Sequence, residues 1–174
     1  TVMVQFGRFN TADLYTGSFV GGNGITKFQN FAFVAPQIET GIVPIYTQGG
    51  FVSYLVKGFP LLTIGVIDPI GTPTEIEDFL PNGVTVLTTL VIPTESLLKL
   101  PGAIIIGGNV TTKTGFDLSQ DPRIAVPALN IPVSFQKGGF SFSVGGEQHF
   151  WKPKDRPEAG AGIFWKGGFT DGNP

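Results

Sequence analysis

The chain has 174 residues, a size at which one domain with a sizeable core is usual. Its 11 basic and 13 acidic residues give a formal charge of −2. This argues against binding to nucleic acid, because proteins that bind nucleic acid generally carry a basic stripe. Cysteine is absent, so a disulfide framework, a thiol nucleophile and a thiolate metal site are excluded. Only 14% of the residues are charged and the mean hydropathy is positive, which is unusual for a chain with 25 glycines and 14 prolines and excludes disorder. What remains is a β-rich protein that shows apolar groups to something other than water.

Alternation of apolar and polar residues predicts strands along the whole chain. In chain order they fall at residues 1–9, 42–57, 61–67, 83–92 and 103–114, and the 42–57 segment is broken by Gln48-Gly49-Gly50, which predicts a hairpin there. No apolar run approaches the roughly 18–20 residues of a membrane-spanning helix. Any membrane insertion must therefore use strands.

Two further strands, residues 139–151 and 159–171, flank a charged connection at 152–158. Each strand separates an apolar set from a polar set with a period of two. The apolar set is Phe140, Phe142, Val144, Ile163, Trp165 and Phe169, and the polar set is Ser141, Ser143, Glu147, His149, Lys166 and Thr170. A soluble sheet buries the apolar face, whereas a transmembrane barrel turns it to lipid and lines its lumen with the polar one. Periodicity alone leaves both structures open.

Three motifs resemble the carbohydrate-selective outer-membrane porins, the OprB family. Residues 162–174 (GIFWKGGFTDGNP), preceded by Glu147-Gln148 and Arg156-Pro157, look like the family's Gly-aromatic strand that ends in Asp-Gly-Asn-Pro. Residues 7–15 (GRFNTADLY) are similar to its strand ending in a Gly-Lys-Phe-Asn-Thr-type turn, and residues 65–69 (GVIDP) resemble its Gly-Val-Tyr-Asp-type strand end. The three matches occur in the expected order.

The resemblance implies an all-β, transmembrane antiparallel β-barrel in the bacterial outer membrane. The chain would supply about seven or eight strands of a larger barrel of about 16 strands, as one β-barrel segment over residues 1–174. The implied function is passive diffusion of small sugars, without enzymatic activity or a cofactor. The implied partners are small sugars and outer-membrane lipid, with a homo-oligomer left open.

Glu147, His149 and Lys166 are the candidate pore-lining residues, joined by Arg156 and Lys152 from the charged connection. A lining of mixed charge suits neutral polyols, since carboxylates accept and cations donate hydrogen bonds to hydroxyl groups. A Glu147–His149 acid–base couple is the alternative, but no nucleophile is clearly poised beside it. A single histidine also argues against a metal centre. We therefore expect neither catalytic nor metal-binding residues.

Three other features of the sequence each allow two interpretations. The acidic residues Glu75, Glu77 and Asp78 resemble a metal cluster but are more typical of a solvated turn. Trp151 and Trp165 suit either an interfacial aromatic girdle, which we favour, or stacking on a sugar. The whole chain has an alternative as a soluble all-β binding or structural module, such as a jelly-roll or adhesin-like domain. A second sheet or a helix on the apolar face would indicate that module.

Overall fold

The computed structural model describes residues 1–11, 41–71, 80–81, 83–95, 99–117, 120, 131–156 and 159–171. These residues form one antiparallel sheet in which seven strands follow one another in sequence order. The strands are β1 (Val2–Asn10), β2 (Tyr46–Val56), β3 (Phe59–Ile67), β4 (Thr85–Pro93), β5 (Gly102–Phe116), β6 (Phe135–Trp151) and β7 (Ala161–Thr170). The predicted all-β antiparallel class is confirmed. The sheet is open, with β1 and β7 at its edges.

One predicted strand break is wrong. Residues 48–50, expected to interrupt the second segment, continue β2 and pair with β1. A side chain at Gly49 would lie 2.8 Å from the Cα of Ile67, so this glycine permits close packing of strands instead of making a turn. The turn comes at Lys57 and Gly58, whose φ angles of 52° and 80° give the hairpin geometry that matches strand twist.

One side of the sheet, the apolar face, carries hydrophobic side chains on all seven strands. At its centre three rows cross the strands in register: Val2, Tyr54, Leu62, Leu90, Ile106, Val144 and Gly167; Val4, Val52, Ile64, Thr88, Gly108, Phe142 and Phe169; Phe6, Gly50, Val66, Val86, Val110 and Phe140. Most of the large side chains in these rows are exposed, from 39% for Phe142 to 76% for Phe6. None of these described positions carries a charge.

The predicted sharing of one uncovered face by the apolar residues of β6 and β7 is confirmed. Phe140, Phe142, Ile163, Trp165 and Phe169 are exposed and Val144 is half-buried. Phe169 packs between the other two rings, with centroids 6.2 Å from Phe140 and 5.5 Å from Phe142. In the part of the chain that the structure describes, no second sheet or helix lies over this face.

The opposite side, the polar face, is buried over much of β2 to β5 and in the middle of β6, and is more accessible at Glu147 and on β7. Seven hydroxyl or amide side chains on it are at most 6% exposed: Thr47, Ser53, Thr85, Asn109, Thr111, Ser141 and Ser143. Ser53 bonds across strands to the half-buried Thr63, with 2.9 Å between the two hydroxyls, and Thr85 bonds to Thr111 at 2.8 Å. A buried polar group left unpaired costs about 1–3 kcal/mol, so this pairing is what allows the polar face to be buried.

A small hydrophobic cluster interrupts the polar face at β2, β3 and β4. Phe51, Ile67 and Leu87 form it, and the ring of Phe9 meets that of Phe51 edge-on at 4.8 Å. The Phe51 ring lies across Gly65 of the neighbouring strand, where a Cβ would be 2.5 Å from two ring carbons. Glycine at this position is therefore what gives the ring its place.

Residues 41–45, the end of the connection between β1 and β2, lie across the polar face. Ile42 is fully buried, and its carbonyl accepts a 3.4 Å hydrogen bond from Thr85 Oγ1. Val43 packs on the hydrophobic cluster, and Lys113 Nζ donates to the carbonyl of Gly41 at 2.9 Å. The segment is thus fastened to β4 and β5 as well as to its own strand.

The two ends of the sheet differ in their connections. At one end, the short-connection end, the strands are joined by residues 57–58, 94–101 and 152–160. At the other, the long-connection end, they are joined by residues 11–45, 68–84 and 117–134. At the long-connection end β7 is held by side chains of the GIFWKGGFTDGNP motif, since Thr170 Oγ1 donates to the Phe140 carbonyl and Phe140 N donates to Asp171 Oδ2.

Candidate functional site on the polar face of β6 and β7

The predicted pore-lining residues Glu147 and Lys166 lie on the polar face of neighbouring strands. Glu147 is directly opposite Phe164, and Lys166 is directly opposite Gly145, so the two charged residues are diagonal neighbours. Diagonal positions in an antiparallel pair are about 7–8 Å apart, within reach of long side chains. The register therefore brings a carboxylate and an ammonium group to one patch.

Two adjacent glycines of β6 make room for the long side chains of β7. Lys166 Cγ lies 3.3 Å from where a Cβ of Gly145 would be, so its stem crosses β6 on the polar face. The indole of Trp165 crosses Gly146 on the apolar face, with Nε1 2.7 Å from the corresponding Cβ position. Trp165 and Lys166 point to opposite sides of the sheet because they are consecutive in β7, and the two glycines leave room for both side chains.

His149 lies one polar-face position nearer the short-connection end and holds two connections together. Its Nδ1 is 3.1 Å from the carbonyl of Pro101, in the β4–β5 connection, and its backbone N–H donates to the same oxygen at 3.0 Å. Because a carbonyl only accepts, the proton of a neutral ring is on Nδ1. The other side of the ring meets Gly160, where a Cβ would be 3.1 Å from His149 Cδ2.

Gln148, which precedes His149, fastens the same connection. Its Oε1 accepts a 2.6 Å hydrogen bond from Thr94 Oγ1, and its Nε2 donates to the Leu100 carbonyl at 3.1 Å. The amide lies where a side chain on Gly102 would be, so glycine is needed there. The half-buried His149 and Gln148 therefore have a clear structural role at this end.

Lys152 and Arg156 lie beyond the strands, in the β6–β7 connection. Lys152 is half-buried and Arg156 is exposed, with the Arg156 carbonyl accepting a hydrogen bond from Ala159 N at 3.0 Å. Of the five predicted residues, the strand register thus groups Glu147 and Lys166, extends the row to His149, and leaves the other two at the end of the hairpin.

Sequence analysis did not single out Phe164, which is directly opposite Glu147 and 37% exposed. Alternation already gives it the parity of Lys166, opposite to that of Ile163 and Trp165. It also missed the paired hydroxyls and the Asn109–Ser141 hydrogen bond of 3.1 Å. Strand register, which no local pattern provides, was needed to find them.

Asp68 directly follows the last residue of β3, and its side chain is fully buried. Its Oδ1 accepts a 2.8 Å hydrogen bond from Ile70 N, whereas Oδ2 is buried without a hydrogen-bond partner. Within the described residues, no three His, Cys, Asp or Glu side chains cluster as a metal site would require. Glu75, Glu77 and Asp78 lie outside the described residues.

Comparison with protein-family models, curated proteins and solved structures gave no match. Over the described parts of the chain, none of the helices has the length and apolarity to span a membrane.

Proposed function

We propose that the protein forms part of an outer-membrane β-barrel porin through which small sugars diffuse passively. The observation that carries this proposal is the orientation of the two faces. The exposed face is apolar and uncharged at its centre, while hydroxyl and amide groups occupy the buried face. A soluble sheet has the reverse arrangement, and a barrel wall in lipid has this one.

The size of the apolar face supports the same proposal. With strands about 4.8 Å apart and alternate residues about 6.8 Å apart, its three central rows cover roughly 650 Å² of sheet. The largest apolar patch of a typical soluble monomer is about 300–600 Å². The three rows alone reach beyond that range, and Ile92, Ile104 and Trp165 extend the face further.

Strand length and connections also suit a barrel wall. The strands have 9 to 17 residues, and a strand that crosses a bilayer needs about 9–11. Outer-membrane barrels join their strands by short turns at one end and longer loops at the other, as the two ends of this sheet do. In hydrocarbon the unpaired backbone groups of β1 and β7 would be costly, so the proposed barrel needs further strands, as a 16-stranded barrel has.

Passage of sugars is proposed from the chemistry of the polar face. The Glu147–Lys166 patch offers an acceptor and a donor, and its opposite charges limit selectivity for ions. This chemistry suits neutral solutes rich in hydroxyl groups. It is the basis for proposing transport instead of catalysis.

The soluble all-β module remains a second candidate because one observation favours it. Phe51, Ile67 and Leu87 form a buried apolar cluster that Val43 covers, as in the core of a soluble sheet. The two candidates differ in extraction: a barrel requires detergent and often migrates differently on gels when unheated. A protein that stays monomeric in detergent-free buffer would exclude the barrel.

The sugar pathway is tested by conductance of the protein in planar bilayers. Replacing both Glu147 and Lys166 by Ala is expected to change the block of current by sugar while the heat-dependent migration stays normal. The double variant Ile163→Ala with Phe169→Ala, on the apolar face of β7, is the control and should keep the sugar block. Unchanged block in the Glu147/Lys166 variant would remove these residues from the pathway.

A further inference from the structure

Phe164 is an aromatic side chain on the polar face, which also carries the hydrophobic cluster at β2, β3 and β4 and, nearer to Phe164, Ile105 and Val91. It shares this face with Phe51, but Phe51 is buried in the hydrophobic cluster at 3% exposure, whereas Phe164 is 37% exposed. Its neighbours on the same face of β7 are Gly162 and Lys166. A ring here stabilises the fold less than a buried ring would, because over a third of its surface remains accessible.

The ring is flanked by the two charged groups already described. Glu147 is directly opposite, where Cβ atoms of a strand pair are about 4.5–5.5 Å apart, and Lys166 is two residues along β7. The stem of Lys166 lies over Gly145 of β6, the strand that carries Glu147, with Cγ 3.3 Å from where a Cβ of Gly145 would be. An accessible ring, an acceptor and a donor therefore occupy one patch.

Two small residues lie near the Phe164 ring on the polar face. One strand beyond Glu147, on β5, lies Ala103, and the residue opposite Lys166 is Gly145. The stem of Lys166 lies above Gly145, whose partner on β5 is Ile105, so the short side chain in this patch is that of Ala103, beside Glu147.

We propose that Phe164, Glu147 and Lys166 form a binding site for the pyranose form of a neutral sugar. This inference rests on the proposed function and names the solute that the pathway holds. A pyranose ring carries C–H groups on its faces and hydroxyls around its edge. The C–H face packs on the Phe164 ring, and edge hydroxyls donate to the Glu147 carboxylate and accept from the Lys166 ammonium.

An acyclic hexitol separates this site from a general polar lining. Sorbitol carries the same kinds of hydroxyl group as glucose but has no ring with a flat C–H face. Hydrogen bonds alone would hold the two solutes comparably, whereas stacking favours glucose. The preference for glucose is therefore assigned to Phe164, and the hydroxyl contacts to Glu147 and Lys166.

The experiment measures the block of single-channel current by glucose and by sorbitol in planar bilayers. Phe164→Ala is compared with Phe164→Tyr, which keeps a ring, and with Phe169→Ala, which removes a ring from the apolar face of the same strand. Contacts of an aromatic ring contribute about 0.5–1.5 kcal/mol beyond area burial, which corresponds to about two- to tenfold in affinity. We expect Phe164→Ala to weaken glucose block by that factor and leave sorbitol block unchanged, with the other two variants like the parent protein.

The outcomes distinguish the site from the pathway. If the parent protein conducts but Phe164→Ala keeps its preference for glucose, the stacking site is refuted and the porin proposal stands. If Phe164→Tyr loses the preference as fully as Phe164→Ala does, Phe164 acts through packing and the site is again refuted. If the parent protein forms no channel in the presence of the further strands that close the barrel, both proposals fail.

Discussion

A lysine in the middle of the apolar face gives the sharpest test of what that face contacts. Ile64 lies in the central row of β3, between Val52 and Thr88, and is 46% exposed. A Lys on the lipid face of a barrel costs about 2–4 kcal/mol at the bilayer midplane, which is roughly 30- to 1,000-fold in the folding equilibrium. In water the same exposed position tolerates Lys within about 0.5 kcal/mol, because its ammonium stays hydrated.

Ile70 provides the matched control for Ile64. It is the same residue type, 42% exposed, and lies beyond the end of β3 in the connection to β4. In a membrane-inserted sheet, Ile64→Lys should be destabilising by about 2–4 kcal/mol while Ile70→Lys stays near zero. The proteins are refolded into phosphatidylcholine vesicles and unfolded with guanidinium, with tryptophan fluorescence as the probe.

Tryptophan fluorescence reports on both the fold and its environment. Trp165 is on the apolar face, so in a Trp151→Phe background, where it is the single tryptophan, its emission should shift to shorter wavelength when vesicles are added. Equal stability of Ile64→Lys and Ile70→Lys in vesicles would refute the assignment of this face to lipid. If the Trp165 emission did not shift when vesicles are added, the assignment of this face to lipid would be refuted independently.

Two further predictions concern the polar face, and equilibrium unfolding measures both. Gly65→Ala should destabilise by about 1–3 kcal/mol, because the new Cβ collides with the Phe51 ring, whereas Gly108→Ala has open space and should change stability by less than about 0.5 kcal/mol. Equal effects of the two substitutions would contradict the packing of that ring. Ile42→Ala should cost about 2–5 kcal/mol because the side chain is fully buried, against less than about 1 kcal/mol for the exposed Ile45. A negligible effect at Ile42 would show that residues 41–45 do not hold to the polar face.

The sequence by itself determined the all-β class and the division of each strand into an apolar and a polar set. Alternation along β6 was enough to place Glu147 and His149 on one face of the strand and Phe140 and Phe142 on the other, because successive side chains in a strand point to alternate sides. The same local rule contained the position of Phe164. The strand boundaries were predicted less accurately, because Gly49 is a residue type common in turns but lies inside β2, where it permits close packing of the strands.

Only the tertiary structure decided which set is exposed and which charged residues meet. Exposure depends on what lies over a face, and alternation is identical for a sheet turned either way. The diagonal of Glu147 and Lys166 depends on the register between β6 and β7, which is set by backbone hydrogen bonds between distant residues. The hydrogen bond from His149 to the Pro101 carbonyl likewise joins positions far apart in the chain. The sequence therefore suggested a pore-lining role for His149 but not its structural role of binding the β4–β5 connection.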